Sequence, residues 1–247
     1  MGSYDKKFFQ NIEKDSLLSA REIVPFVVDF LKPKSVIDVG CGLGVWLSVF
    51  IEHGVENILG VDGDYVDLDS IFIPRCNFYS HDLNRPLKLE ENFDLVVSLE
   101  VAEHIQSKFA KDFVKSLTSL GDIVMFSAAI PFQGGTNHVN EQWQEYWERL
   151  FNDEGYEAVD FIRKRVWNNP KVSTWFAQNI LFYVSRDLID RNPIFKAEKE
   201  KSNFPISVVH PKHYENLVLL NNMGLKRTLQ AMPRMILHAI LRKIARR

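Results

Sequence analysis

The chain alternates short apolar runs with stretches of helical spacing. Residues from about Lys6 to Leu31 read as helix, with "SARE" (Ser19 to Glu22) at capping-box spacing ahead of the apolar run Ile23 to Leu31. "SVIDVG" (Ser35 to Gly40) predicts a strand ending in glycine, and "LGVWLSVFIEHG" a helix that stops at Gly54. "NILGVD" (Asn57 to Asp62), "NFYSHD" (Asn77 to Asp82) and "FDLVVSLE" (Phe93 to Glu100) predict three more strands. A helix in "SKFAKDFVKSL" precedes a fifth strand, "DIVMFSAAI" (Asp122 to Ile130). After the polar loop "PFQGGTNHVNEQW", the segment "EQWQEYWERLFNDEG" predicts an amphipathic helix ending at Gly155. "EAVDFI" and "FAQNILFYVS" then predict two closing strands.

Strands alternating with helices imply a parallel sheet covered on both faces, an α/β fold. Ligands of such sheets bind beyond the carboxyl ends of the strands. The expected organisation is an N-terminal helical segment (1–34), one α/β domain (35–186) and a C-terminal part (187–247). That last part begins with a charged, proline-containing linker or arm and ends in the basic amphipathic helix "RMILHAILRKIARR".

Composition changes this picture in two ways. The 46% hydrophobic and 25% charged residues suit an ordinary globular protein, and no apolar stretch is long enough to cross a bilayer. The N-terminus lacks the apolar core of a signal peptide, and Cys41 and Cys76 make neither a disulfide framework nor a metal spacing, so a cytoplasmic setting is expected. The net charge of −2 is unevenly spread: residues 223–247 hold seven basic and no acidic side chains, leaving −9 on the rest. An acidic body is poorly made for gripping nucleic acid.

"VIDVGCGLG" places Asp38, Gly40, Gly42 and Gly44 at alternate positions where a strand turns into a helix. Glycine lets a ligand approach the backbone, and the helix start offers free N–H groups. A dinucleotide fingerprint would need glycine where Val45 stands, and Asp38 would repel a pyrophosphate, so a nicotinamide oxidoreductase is disfavoured. A sulfonium or ammonium charge would instead be attracted. Asp62 ends the second strand and can accept both hydroxyls of a ribose. Asp82 ends the third and can accept from the exocyclic amine of adenine.

On "DVGCGLG", "GVD", "HDL" and "FDLVVSLEVAEH" the chain resembles the class I S-adenosylmethionine-dependent methyltransferases of the type 11/23-like kind, over about Ser35 to Arg186. The resemblance implies a Rossmann-like sheet of seven mostly parallel strands with a final antiparallel strand. It implies that Gly40 and Gly42 approach the methionine part of the cofactor, that Asp62 holds the ribose, and that Asp82 and Leu83 meet the adenine.

"EVAEH" sets Glu100, Glu103 and His104 at i, i+3, i+4, which share one face if a helical turn begins at Glu100. Three readings stand. Glu100 closes the cofactor site while the others organise the turn; or His104 is a general base towards a substrate hydroxyl; or Glu100, Glu103 and His104 bind a divalent metal with His138 as fourth ligand. The third follows the small-RNA 2′-O-methyltransferases, which share the E-x-x-E-H spacing and a downstream histidine. Mixed carboxylate and imidazole ligation suits magnesium, manganese or zinc. His104 and His138 are the candidate catalytic residues.

The loop after the fifth strand adds Gln133, Asn137, Asn140, Glu141, Trp143, Tyr146 and Trp147, a mixture of aromatic faces and polar rims that suits a sugar. Trp147 and Leu150 read better as a core-facing stripe. The expected reaction is O-methylation of a polar, carbohydrate-like acceptor, either a small molecule or a glycan. A general similarity to methyltransferases of bacterial surface-polysaccharide synthesis points the same way. The rivals are RNA 2′-O-methylation and a non-catalytic, cofactor-binding partner of a glycosyltransferase. The basic helix is expected to mediate self-association or docking on such a partner, and next to that a peripheral contact with the inner membrane surface.

Overall fold

The structure, a computed structural model, describes residues 6–202 and 205–221, with side chains within 15–202 and 205–217. The basic helix predicted near the C-terminus lies outside the described residues. The chain divides into two units, one ending at Val208 and one beginning at Val209. The first holds the sheet; the second contributes the described helix Pro211–Asn221 (α9).

Seven strands form one sheet: Ser35–Val39 (β1), Asn57–Asp62 (β2), Phe78–Ser80 (β3), Leu95–Leu99 (β4), Ile123–Ser127 (β5), Tyr156–Val159 (β6) and Leu181–Ser185 (β7). Their order is β3-β2-β1-β4-β5-β7-β6. β1 to β5 are parallel and β7 runs antiparallel to both β5 and β6. The order reverses between β1 and β4, which opens a crevice at their carboxyl ends.

The strands are short apolar runs because both faces are covered. Val36, Leu95, Val97, Met125 and Phe182 face one core, while Ile37, Val96, Val124, Phe126 and Tyr183 face the other. The first core is closed by Lys6–Leu31 (α1), Val45–Glu52 (α2), Arg163–Val166 (α5) and Thr174–Asn179 (α6), with Arg186–Arg191 (α7) and Pro193–Lys201 (α8). The second is closed by Ala110–Thr118 (α3) and Gln144–Asp153 (α4). There Phe151 stacks on Tyr183 at 3.8 Å between ring centroids, and Trp147 packs on Phe126 as its helical stripe predicts.

Three local expectations change. α1 runs unbroken through "SARE", so Ser19 is interior rather than a cap. Its hydroxyl donates to the Asp15 carbonyl at 2.7 Å and accepts the Ser173 N–H at 3.0 Å, tying α1 to the start of α6. "FAQN" ends α6 instead of opening the last strand, because β7 meets β5 only from Leu181, opposite Phe126. The segment read as a linker or arm forms the two helices α7 and α8. Among the described residues no helix is long and apolar enough to cross a membrane.

Candidate active site

The carboxyl ends of β1 and β2 carry the glycine loop. Gly40, Gly42 and Gly44 take φ values of 91°, 53° and 77°, a backbone that L side chains resist. Gly44 is the N-cap of α2. Gly42 faces open space: a Cβ there would meet nothing within 4 Å. This is the cradle that a close-lying ligand requires. Asp62 clamps the loop. One carboxylate oxygen accepts the Gly42 N–H at 2.7 Å; the other accepts the Gly63 N–H at 2.7 Å and the Tyr65 hydroxyl.

Asp38 is buried beneath the loop. Burial, and after it the negative charge of Asp62, push its carboxyl up to about 8. Asp82 lies past β3, the strand that pairs with β2 at Asp62 and Ser80. It forms an Asx turn, accepting the Asn84 N–H at 3.1 Å and pairing with Arg85 at 3.4 Å. The bonds from the Asn84 backbone and side chain hold its carboxyl low, and it stays exposed to solvent. Leu83 is half-buried beside it and packs on the core. Asp38, Asp62 and Asp82 thus follow one another along the edge formed by β1, β2 and β3.

No helical turn begins at Glu100, whose φ is +55°; the short 3-10 turn is Ala102–His104. Glu100 therefore parts from Glu103 and His104. Its carboxylate lies between the Asn179 amide at 3.2 Å and the Gln133 amide at 2.6 Å, and Asn179 also donates to Gln133 at 2.8 Å. Burial raises the Glu100 carboxyl, and the Asn179, Ser127 and Gln133 bonds oppose this. Asn179 is the site residue that the sequence pattern hides, because "FAQN" runs straight into the apolar stretch of β7; the signal it leaves is a pair of amides before that stretch.

Glu103, His104 and His138 do come together, each offering one ligand atom within 4.8 Å of the others. The loop after β5 reaches the turn because the Val139 and Asn140 N–H groups donate to the Glu103 carbonyl at 2.9 and 3.0 Å. Glu103 is 1% exposed, and neither side-chain oxygen has a hydrogen-bond partner among the described residues. Burial, then the charge of Glu100, raises its carboxyl well above the usual range, and the backbone N–H groups of Glu103 and Ala129 oppose the shift. His104 is lowered by burial and by His138, while the Asn137 backbone oxygen accepts from its ring. Two unpaired buried oxygens facing two imidazoles fit a divalent cation.

Within the loop, Gln133 is committed to Glu100, Asn140 is buried and Glu141 bonds to His138 at 3.0 Å. The aromatic groups left facing solvent are Phe132 and Trp143, 71% and 43% exposed.

Residues 15–159 match the sequence model of a family described as "Methyltransferase domain". No curated protein is a significant match. Among solved structures, the sugar N-methyltransferase KedS8 from Streptoalloteichus shares 14% identity and a TM-score of 0.58, covering 75% of this chain and 94% of that one. Magnesium protoporphyrin IX methyltransferase from Synechocystis, solved with bound S-adenosylhomocysteine, shares 17% identity and a TM-score of 0.54, covering 75% and 89%. The methyltransferase domain of bacterial CtHen1 shares 20% identity and a TM-score of 0.50, covering 68% and 97%. These likenesses show the fold, and the family match, which spans more than half of the sequence, assigns it: the chain belongs to the methyltransferase-domain family and is an S-adenosylmethionine-dependent methyltransferase.

Proposed function

We propose that the chain methylates a hydroxyl of a polar, carbohydrate-like acceptor, assisted by a divalent cation held by Glu103, His104 and His138. Asp62 puts negative charge beneath the glycine loop, and Asp38, which holds its proton up to about 8 in the empty site, would be drawn to its ionised form by a cationic ligand lying over it. Gly40 and Gly42 would lie along its methionine part, with the N-terminus of α2 behind Gly44. Asp62 would exchange the Tyr65 hydroxyl for those of the ribose. Asp82 and Leu83 would meet the adenine, and Glu100, pinned by Asn179 and Gln133, would close the pocket.

S-adenosylmethionine supplies a methyl group activated on a sulfonium sulfur. The acceptor oxygen forms the new bond to carbon as the old carbon–sulfur bond breaks, leaving a neutral thioether, and the hydroxyl proton must leave. Without a cation His104 would take it, since one ring nitrogen bonds to the Asn137 carbonyl and the other faces the cluster; with a cation held there that nitrogen would be a ligand, and the proton would leave to water. A cation bound beside it would lower the pKa of the hydroxyl. The exposed faces of Phe132 and Trp143 suit the C–H side of a sugar ring.

The observation that carries this reading is Glu103, a buried carboxyl group whose oxygens find no hydrogen-bond partner among the described residues and which lies opposite His104 and His138. The test is acceptor-dependent release of S-adenosylhomocysteine, assayed with sugar nucleotides and oligosaccharides and repeated in EDTA. Loss of turnover in EDTA and in both His104→Ala and His138→Ala supports the metal. Turnover that ignores EDTA but needs His104 leaves a simple base. The same trio favours one other reading, 2′-O-methylation of RNA; salt-dependent RNA binding would establish it, and the −9 body argues against it.

A further inference from the structure

The loop from Pro131 to Glu141 is wound around a single carboxylate. Glu141 accepts three donors: the Phe132 N–H at 2.9 Å, the Gly134 N–H at 2.8 Å and His138 Nδ1 at 3.0 Å. Four residues of this short segment sit at positive φ: Phe132, Gly134, Gly135 and Asn137, at 71°, 74°, 156° and 61°. For Phe132 and Asn137 that backbone costs energy, so something must hold it. The loop also leaves no room beside the imidazole, since a Cβ on Gly135 would fall 2.1 Å from His138 Nε2. His138 is thus gripped by a carboxylate on one nitrogen and a bare glycine on the other side, and its Nε2 lies 4.0 Å from Glu103 Oε1.

We infer that Glu141 is a positioning residue: it accepts the proton of His138 Nδ1, which fixes the tautomer with the Nε2 lone pair turned to Glu103 and His104. A histidine acts as ligand or base through the nitrogen that carries no proton, and the hydrogen bond on the other nitrogen selects it. A free imidazole in water prefers its proton on Nε2, the arrangement that would aim an N–H at the cluster. Glu141 reverses that preference, and by tying Phe132 and Gly134 it also sets where the ring stands.

This inference rests on the metal reading only for its consequence, and the two are separable. The nitrogen spectrum of His138 in the metal-free full chain, assigned by comparison with His138→Ala, should show the Nδ1–H tautomer in the wild type and a mixture rich in Nε2–H in Glu141→Ala. Glu141→Gln, which keeps one acceptor oxygen, should retain Nδ1–H. Calorimetric titration with manganese chloride should then show affinity falling about 10- to 100-fold in Glu141→Ala and clearly less in Glu141→Gln. A wild-type His138 that is mainly Nε2–H overturns the inference, as does an unchanged tautomer in Glu141→Ala. If no protein in the series binds manganese, the metal reading fails and the tautomer alone decides the role of Glu141. If His138→Ala abolishes binding and Glu141→Ala leaves it intact, the metal reading survives and the role of Glu141 does not. Should Glu141→Ala fail to fold, the wild-type and Glu141→Gln spectra still decide.

Discussion

A methyl group on Gly40 would fall 2.3 Å from Cγ2 of Val101, the residue between Glu100 and the Ala102–His104 turn. The glycine loop and the "EVAEH" turn are therefore in contact across the crevice between β1 and β4, and the absence of a side chain at Gly40 lets them close. Gly40→Ala should force Val101 aside and adds the cost of φ +91° for an L residue. The expected loss is roughly 2 kcal/mol or more of stability, together with at least a tenfold loss of S-adenosylhomocysteine affinity by calorimetry. Gly42→Ala is the comparison, because its Cβ meets nothing within 4 Å. It should cost only the backbone strain, about 1–2 kcal/mol, yet weaken the cofactor as strongly, since the new methyl projects into the cradle. Equal affinity in Gly42→Ala and the wild type would mean that the cradle is not where the cofactor lies.

Asp38 ties stability to pH. In the folded chain its carboxyl keeps a proton up to about 8, whereas the ordinary value is 3.8. Between these values the unfolded chain binds fewer protons than the folded one, so stability falls as pH rises. Glu100 and Glu103 shift in the same direction and add to the slope. Urea unfolding of the metal-free and cofactor-free protein should therefore show stability dropping by a few kcal/mol between about pH 5 and about pH 8. Asp38→Asn should flatten part of that slope and be the more stable protein at the alkaline end. An identical slope in the two proteins would show that Asp38 is ionised throughout.

The strands, their order of appearance and the acids at their ends were legible because each is written locally. A buried parallel strand is a short apolar run, and its end is marked by a glycine or a carboxylate, as at Gly40, Asp62 and Asp82. What escaped depends on contacts made far along the chain. Ser19 has the spacing of a cap, but its hydroxyl serves a backbone N–H 154 residues away. Glu100 has the spacing of a ligand, but one residue at positive φ turns it towards Asn179, 79 residues on. Periodicity assigns a face only while the backbone is regular, and active-site turns are where it is not. His138 was legible as a candidate by residue type; its meeting with Glu103 is set by two loop amides on a carbonyl, which no pattern announces.

Asn179 should prove as consequential as any residue with a recognisable motif. It is 2% exposed and donates to both Glu100 and Gln133. Asn179→Ala leaves two half-buried acceptors without that donor, at a cost of roughly 1–2 kcal/mol in thermal or urea unfolding. If the loss comes from the Glu100 carboxylate, Glu100→Gln in the same chain should recover part of it, with a coupling of at least about 0.5 kcal/mol. Strict additivity of the two substitutions would place the cost elsewhere, in the packing of α6.

Glu103 should set stability and turnover against each other. A buried carboxyl group with no hydrogen-bond partner among the described residues is costly to the metal-free fold, whether it is charged or protonated. Glu103→Gln is close to isosteric and cannot ionise, so in EDTA at the alkaline end it should melt higher than the wild type, by the equivalent of roughly 1–3 kcal/mol. Manganese should raise the melting temperature of the wild type and do little for Glu103→Gln, since an amide oxygen is a poor replacement for a carboxylate ligand. Turnover should fall by at least a hundredfold in the same variant. A Glu103→Gln protein that is less stable in EDTA would show that this carboxylate finds a donor in solution. A variant that is more stable and still fully active would show that the carboxylate serves neither metal nor chemistry. Only the opposed pair of effects is expected of a ligand: the fold carries an unfavourably buried carboxyl because the cation that would draw off its proton and pair with its charge is part of the working enzyme.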